Sequence, residues 1–221
     1  MNFSKLALAM ALSMAGVASY ATELVKNGNF ETLSSAGTDS LSAAGAKSPS
    51  AYFITVDAAD STTITGWTVG SKSVDVINTG YGAISGNSID MLGTPGPGSL
   101  SQSLTTVAGG SYVLSFDLSS NPVLKSGDPA PVYALNVSLG GLSGSTAYTG
   151  TSTFQHIEQS FVAASNVTLL TFTSGTYGGY SGAVLDNVSV TAVSEPESFA
   201  MLLSGLGLMG VMARRRRNKN G

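Results

Sequence analysis

The stretch Ser111-Tyr112-Val113-Leu114-Ser115-Phe116-Asp117-Leu118 repeats its large apolar residues every second position. A period of two is the signature of a β-strand with one buried face, and it sets Tyr112, Leu114, Phe116 and Leu118 on that face. Tyr133, Leu135, Val137 and Leu139 repeat the pattern, with Asn136 and Ser138 opposite. Further strand candidates are Phe53–Asp57, Thr62–Val69, Val74–Ile77, Ser88–Leu92, Leu100–Thr106, His156–Ala163, Val167–Thr173 and Ala183–Thr191. Gly, Ser, Asn and Pro punctuate them, and helical periodicity is absent from the body. Many short strands joined by turns predict an all-β fold, an antiparallel β-sandwich of the jelly-roll kind. Ser34–Ser50, rich in Ser, Ala and Gly, and Asn121–Pro131, with its three prolines, read as long loops.

The two ends follow different rules. Met1–Lys5 carries one positive charge, Leu6–Ala18 is apolar, and Ser19-Tyr20-Ala21 places small residues where a signal peptidase reads. This layout predicts a signal helix over residues 1–21, cleavage after Ala21 and export through the inner membrane. At the other end about fifteen apolar residues, Phe199–Ala213, are followed at once by Arg214, Arg215, Arg216 and Arg217. The apolar run is marginal for a span, and the arginines hold its C-terminus inside. The reading is therefore a body over 22–193 and a tail over 194–221 with a short apolar helix.

The body holds four lysines, no arginine and eleven acidic residues between Thr22 and Val193, a net −7. Phosphate contacts need Lys and Arg, so no nucleic-acid partner is expected. Oxygen-rich acidic side chains suit calcium. The chain has no cysteine, which removes disulfides, Cys-ligated zinc and thiol chemistry.

Catalytic signatures are sparse. His156 is the one histidine, it lies in a strand candidate, and no G-x-S-x-G elbow accompanies it. No pair of carboxylates is singled out for glycoside hydrolysis. A P-loop, an H-E-x-x-H motif and an EF-hand loop are all missing. The expectation is a protein that is not an enzyme.

Two resemblances extend this reading. Ser194-Glu195-Pro196-Glu197-Ser198, the apolar run and Arg214–Arg217 resemble a PEP-CTERM protein-sorting signal. Glu195 and Pro196 match its motif, while Ser194 stands where the first proline would be. The resemblance implies a temporary stop in the inner membrane, processing by an exosortase-type enzyme, and a final place at the cell surface or in the extracellular matrix of a Gram-negative-type envelope. The second resemblance rests on Glu23-Leu24-Val25-Lys26-Asn27-Gly28-Asn29-Phe30-Glu31, Ile64-Thr65-Gly66-Trp67, Val74-Asp75-Val76-Ile77, Gly86-Asn87-Ser88-Ile89-Asp90-Met91 and Leu185-Asp186-Asn187-Val188-Ser189-Val190. Together these resemble a choice-of-anchor C domain, similar to galactose-binding-like jelly rolls and calcium-containing carbohydrate-binding modules.

In jelly rolls of that kind the terminal segments run side by side. Glu31 and Asp186 are then either two carboxylates on one structural calcium, or turn and backbone-bonding residues. Tyr177, Tyr180 and Tyr81 have glycine neighbours and are candidate sugar platforms or covers for one end of the sandwich. Trp67, after Gly66 in an apolar segment, is expected in the core. The leading function is a non-catalytic surface or matrix protein binding extracellular polysaccharide. The alternatives are a structural surface protein without a ligand and a divergent hydrolase.

Overall fold

The computed structural model describes residues 22–38, 40–41, 53–121, 133–140, 146–176, 181–193, 205, 207 and 209–210. The expected signal helix, most of the tail, Tyr177 and Tyr180 lie outside them. Residues 205, 207, 209 and 210 are helical. Among the described residues no helix is long and apolar enough to cross a membrane.

The unit Thr22–Val193 is an antiparallel β-sandwich, as the alternation predicts. Its strands are β1 (Phe53–Asp57), β2 (Thr68–Val69), β3 (Ser73–Asn78), β4 (Asn87–Asp90), β5 (Leu92–Gly93), β6 (Gly96–Pro97) and β7 (Ser99–Thr105), then β8 (Ser111–Ser120), β9 (Ala134–Leu139), β10 (Thr146–Thr149), β11 (Gln155–Val162), β12 (Val167–Ser174) and β13 (Ala183–Ala192). A six-stranded sheet runs in the order β1-β3-β4-β13-β8-β11 and a five-stranded sheet in the order β10-β9-β12-β7-β2. β5 and β6 form a small hairpin. Between the two sheets lie the residues that the alternation assigns to the core. Leu114, Phe116 and Leu118 of β8 meet Leu135, Leu170 and Phe172 there. The Phe116 ring stands edge-on to Phe172, with centroids 5.4 Å apart.

The terminal segments do run side by side. Glu23 bridges Thr191, Leu24 N–H donates to the Val190 carbonyl at 2.9 Å, and Val188 N–H donates to the Gly28 carbonyl at 2.9 Å. Gly28 is required at this crossing, because a Cβ there would collide with the Val188 carbonyl. Trp67 is buried, donates its indole N–H to the Asn27 carbonyl at 3.0 Å, and packs on Phe30 and Phe172. The lone tryptophan therefore fastens the N-terminal turn to the core.

Three expectations need correction. Thr62–Val69 is a strand only at Thr68–Val69. Asp60 takes the amides of Thr62 and Thr63 at 2.8 Å each, and this side-chain turn displaces the ladder. Ser88–Leu92 breaks into β4 and β5, because Asp90 turns its carboxylate back to Leu92 N–H at 2.9 Å. Within the Ser34–Ser50 stretch, residues 35–38 and 40–41 are helical, with Ser34 accepting from Gly37 N–H at 3.2 Å as an N-terminal cap.

Candidate functional site: a polar belt on the six-stranded sheet

The same alternation that fills the core decides what faces outward. Val74 and Val76 of β3, Ile89 of β4, Leu185 of β13, and Phe116 and Leu118 of β8 join the core. Asp75, Asp90, Asp186 and Asp117 are one residue out of phase, so four adjacent strands each turn an aspartate to the outer face. β11 places His156 and Glu158 on that face as well. The register arranges these in two rows. In the first, Thr55, Asp75, Asp90 and Val184 are cross-strand neighbours. In the second, Asp186 lies opposite Asp117, which lies opposite His156.

The first row is shielded. Asp90 is fully buried, and its carboxylate accepts from Asn121 Nδ2 at 2.7 Å and Leu92 N–H at 2.9 Å. Gly182 lies against the same carboxylate and leaves no room for a Cβ. Burial pushes Asp90 up to about 7, against the hydrogen bonds that favour its charge, and the charge of Asp75 adds to the rise. Asp75 is pushed up to about 6 by burial, with a 2.6 Å bond from Thr55 Oγ1 opposing. These two carboxylates tie strands and loops together.

The second row reaches solvent only at its His156 end and at Asn187, since Asp186 is fully buried and Asp117 is 6% exposed. The ladder between β13 and β8 shifts register between Asp186 and Ser189, a β-bulge. Asn187 sits in it at φ 49°, a left-handed conformation that Asn tolerates better than most residues. The bulge sends Asn187 Nδ2 to Asp117 Oδ2 at 2.8 Å. The other oxygen of Asp117 lies 2.6 Å from His156 Nδ1. The His156 pKa is raised, first by that hydrogen bond, against slight desolvation, and then by the charges of Asp117 and Glu158. The His156 and Glu158 side chains are 57% and 69% exposed, so this end of the belt is accessible.

Both carboxylates expected to meet, Glu31 and Asp186, converge on residues 85–88. Asp186 Oδ2 accepts from Ser88 Oγ at 3.0 Å and Ser85 Oγ at 3.4 Å, and Oδ1 accepts from Asn187 N–H at 2.7 Å. Glu31 Oε1 accepts from Asn87 N–H at 2.8 Å. Gly86, at φ 50°, lies so close that a Cβ would collide with the Glu31 carboxylate. Asn27 holds Glu31 here by closing its turn on both the N–H and the carbonyl of Thr32, each at 2.9 Å. Desolvation pushes Asp186 up to about 6, partly offset by its hydrogen bonds, and the Glu31 charge raises it further. All donors here are oxygens, which fits a hard cation in kind. No third acid or histidine completes a metal cluster among the described residues. Carbonyls, the Ser85 and Ser88 hydroxyls and water would have to supply the remaining ligands.

Of the three tyrosines expected at a ligand surface, Tyr81 is described. It ends a one-turn 3-10 helix, Thr79–Tyr81, capped by Asn78, and its ring is 4.9 Å from Phe53. Burial raises its phenol pKa, and the charges of Asp90 and Asp75 raise it further. The Phe53–Tyr81 pair is half-buried beside β1 and β3, at the border of the polar face. Asp117, Asn187, Ser85 and Ser88 are belt residues that sequence reasoning missed, and His156 was read there as an ordinary strand position. The signal available was phase alone: Asp75, Asp90 and Asp117 each stand between two core residues, and Asp186 follows the core residue Leu185.

A family described as "Protein of unknown function (DUF642)" matches residues 23–191. The PEP-CTERM protein-sorting motif matches residues 192–217. Halomucin of Haloquadratum walsbyi is 32% identical over 176 residues, which cover 78% of this chain and 2% of that protein. The chain therefore spans a very small part of that relative's length. Among solved structures, a CBM4 module is 18% identical at a TM-score of 0.43, covering 76% of this chain and 99% of its own. The CBM22-1 xylan-binding domain from Paenibacillus barcinonensis is 18% identical at a TM-score of 0.40, covering 64% and 94%. The C-terminal motif marks the chain for export and sorting to the cell surface. Because the first match spans most of its length, the chain belongs to the DUF642 family and ends in a PEP-CTERM sorting motif.

Proposed function

We propose that the chain is a non-catalytic protein of the cell surface or extracellular matrix, whose sandwich binds a neutral envelope polysaccharide along the polar belt. The observation that carries this reading is the make-up of the belt. The exposed amide of Asn187, imidazole of His156 and carboxylate of Glu158 line it, oriented from beneath by the buried Ser88, Asp186 and Asp117. A sugar's hydroxyls donate and accept in the same way. The Phe53–Tyr81 rings border this face and offer an apolar patch for a pyranose ring. The belt side chains include no lysine or arginine, so a neutral glycan suits them better than a polyanion. A glycan array with the purified protein tests this. Asn187→Ala and Tyr81→Ala should each weaken the strongest binding at least about tenfold, and Tyr177→Ala and Tyr180→Ala should weaken it too. Unchanged binding in Asn187→Ala and Tyr81→Ala would end the proposal. A catalytic activity abolished by His156→Ala would favour a hydrolase instead.

Calcium enters as part of the same reading. The bare Glu31–Asp186 pair is repulsive, and a cation between them would join the N-terminal turn to the last strand. A ligand that binds only the folded state adds roughly 2.7 kcal/mol at a hundredfold excess over Kd. Calcium should raise the melting temperature over a chelator control, and Glu31→Ala should remove that response. An equal response in the variant would count against the site.

The tail is read as a temporary stop in the inner membrane, cut by an exosortase-type enzyme after export. Intact mass of the exported protein should lack everything beyond about Ser194–Glu197. Recovery of envelope protein still carrying Arg214–Arg217 would contradict processing.

A further inference from the structure

The end of the sandwich from which the C-terminal segment leaves differs from the rest of its surface. Two turns, over residues 106–110 and 163–166, form this end together with Val193. Gly109 N–H donates to the Ala163 carbonyl at 2.8 Å, Ala163 N–H to the Gly110 carbonyl at 2.9 Å, and Val193 N–H to the Ser111 carbonyl at 2.9 Å. Four large apolar side chains stand exposed around it: Val107 at 66%, Val162 at 52%, Val167 at 60% and Val193 at 49%. Residues 105–111, 162–167 and 192–193 contain no charged side chain, although the body as a whole carries net −7.

The turns also spend their polar groups internally. Val107 N–H donates to the Tyr112 hydroxyl at 2.8 Å, Ala108 N–H to Asn166 Oδ1 at 3.0 Å, and Thr106 Oγ1 to the Ser165 carbonyl at 2.8 Å. Moving this end out of bulk water therefore strands few donors. Only five residues, Ser194–Ser198, separate Val193 from the apolar run that starts at Phe199. Five residues reach at most about 18 Å.

We infer that this end is a membrane-facing surface, and that Val107, Val162, Val167 and Val193 touch the lipid headgroup region while the tail is held in the bilayer. The inference rests on the membrane-stop reading of the tail. An acidic body near an anionic leaflet is repelled wherever its carboxylates approach. Glu23, which bridges Thr191 beside this end, has its carboxylate taken up by Ser189 Oγ and Val190 N–H, so this end is the one that can come close, and the short tether ties that same end to the membrane. Valines at the rim then exchange water for the interfacial region.

The absence of cysteine makes the test clean. Full-length protein carrying Val107→Cys, Val162→Cys or Phe154→Cys is labelled with a fluorophore and reconstituted in phosphatidylethanolamine–phosphatidylglycerol vesicles with a headgroup-quencher lipid. Phe154 is also exposed, at 53%, and lies eight residues before Val162, about 26 Å away at 3.3 Å per residue. Quenching at 107 and 162 should exceed that at 154 at least about fivefold. Equal quenching at 107 and 154, in protein that floats with the vesicles, would overturn the inference and leave the tail reading intact. Protein that does not float would overturn both. A label at 107 that is shielded to the same degree without vesicles would point to a second copy of the chain and overturn the membrane assignment.

Discussion

Lowering the pH from 8 to 5 should raise the melting temperature of this protein. Asp90 is held at about 7, and Asp75 and Asp186 at about 6, each chiefly by burial. In the unfolded chain these carboxyls release their protons near pH 4. Between about pH 4 and 7 the folded state thus binds more protons than the unfolded one, and stability falls as pH rises. His156 acts with the same sign, since its raised pKa gives stability that is lost above that pKa. A shift of about three units in Asp90 alone corresponds to about 4 kcal/mol between pH 4 and 8. Scanning calorimetry across this range checks it. Asp90→Asn removes the largest contribution and should flatten the curve, because the neutral amide carries no charge to desolvate. A melting temperature that is constant or falls between pH 8 and 5 would contradict the buried-acid account.

Trp67→Ala should destabilise the domain by about 3–5 kcal/mol, the range for emptying a large aromatic from a core. Trp67 is 2% exposed and lies between Phe30 and Phe172, with ring centroids 5.5 Å and 6.3 Å away. Its indole N–H also holds the Asn27 carbonyl. Trp67→Phe, which keeps a ring and loses that bond, should cost less, of order 1 kcal/mol for the hydrogen bond plus the lost volume. Urea unfolding of the three proteins gives the comparison. The turn at Asn27 carries Glu31 to Gly86, so Trp67→Ala should also weaken any calcium response. A loss below about 1 kcal/mol in Trp67→Ala would show that the tryptophan does not fasten the turn.

Strand identity was legible because packing and pattern agree. Tyr112, Leu114, Phe116 and Leu118 alternate in sequence and lie inside the sandwich. Thr62–Ile64 reads equally well as a strand, yet Asp60 offers its amides a nearer partner. Partnership between strands was not legible. Asp186 and Asp117 face one another across a ladder whose residues lie about seventy positions apart, and no local signal fixes that register. The bulge at Asn187 likewise lies where Gly28 docks against Val188, a contact far apart in sequence. Glu31 and Asp186 were singled out through the resemblance, while the residues that surround them came from the topology.

His156 is the chain's one histidine, so its imidazole gives a single magnetic resonance signal at the open end of the belt. Titrating the tightest glycan from the array into the protein while following that signal shows whether the glycan sits on the belt. The His156 resonance should move and saturate with the binding curve, and Asn187→Ala should weaken both together. Saturable binding that leaves the His156 resonance in place, with shifts confined to the five-stranded sheet, would contradict it.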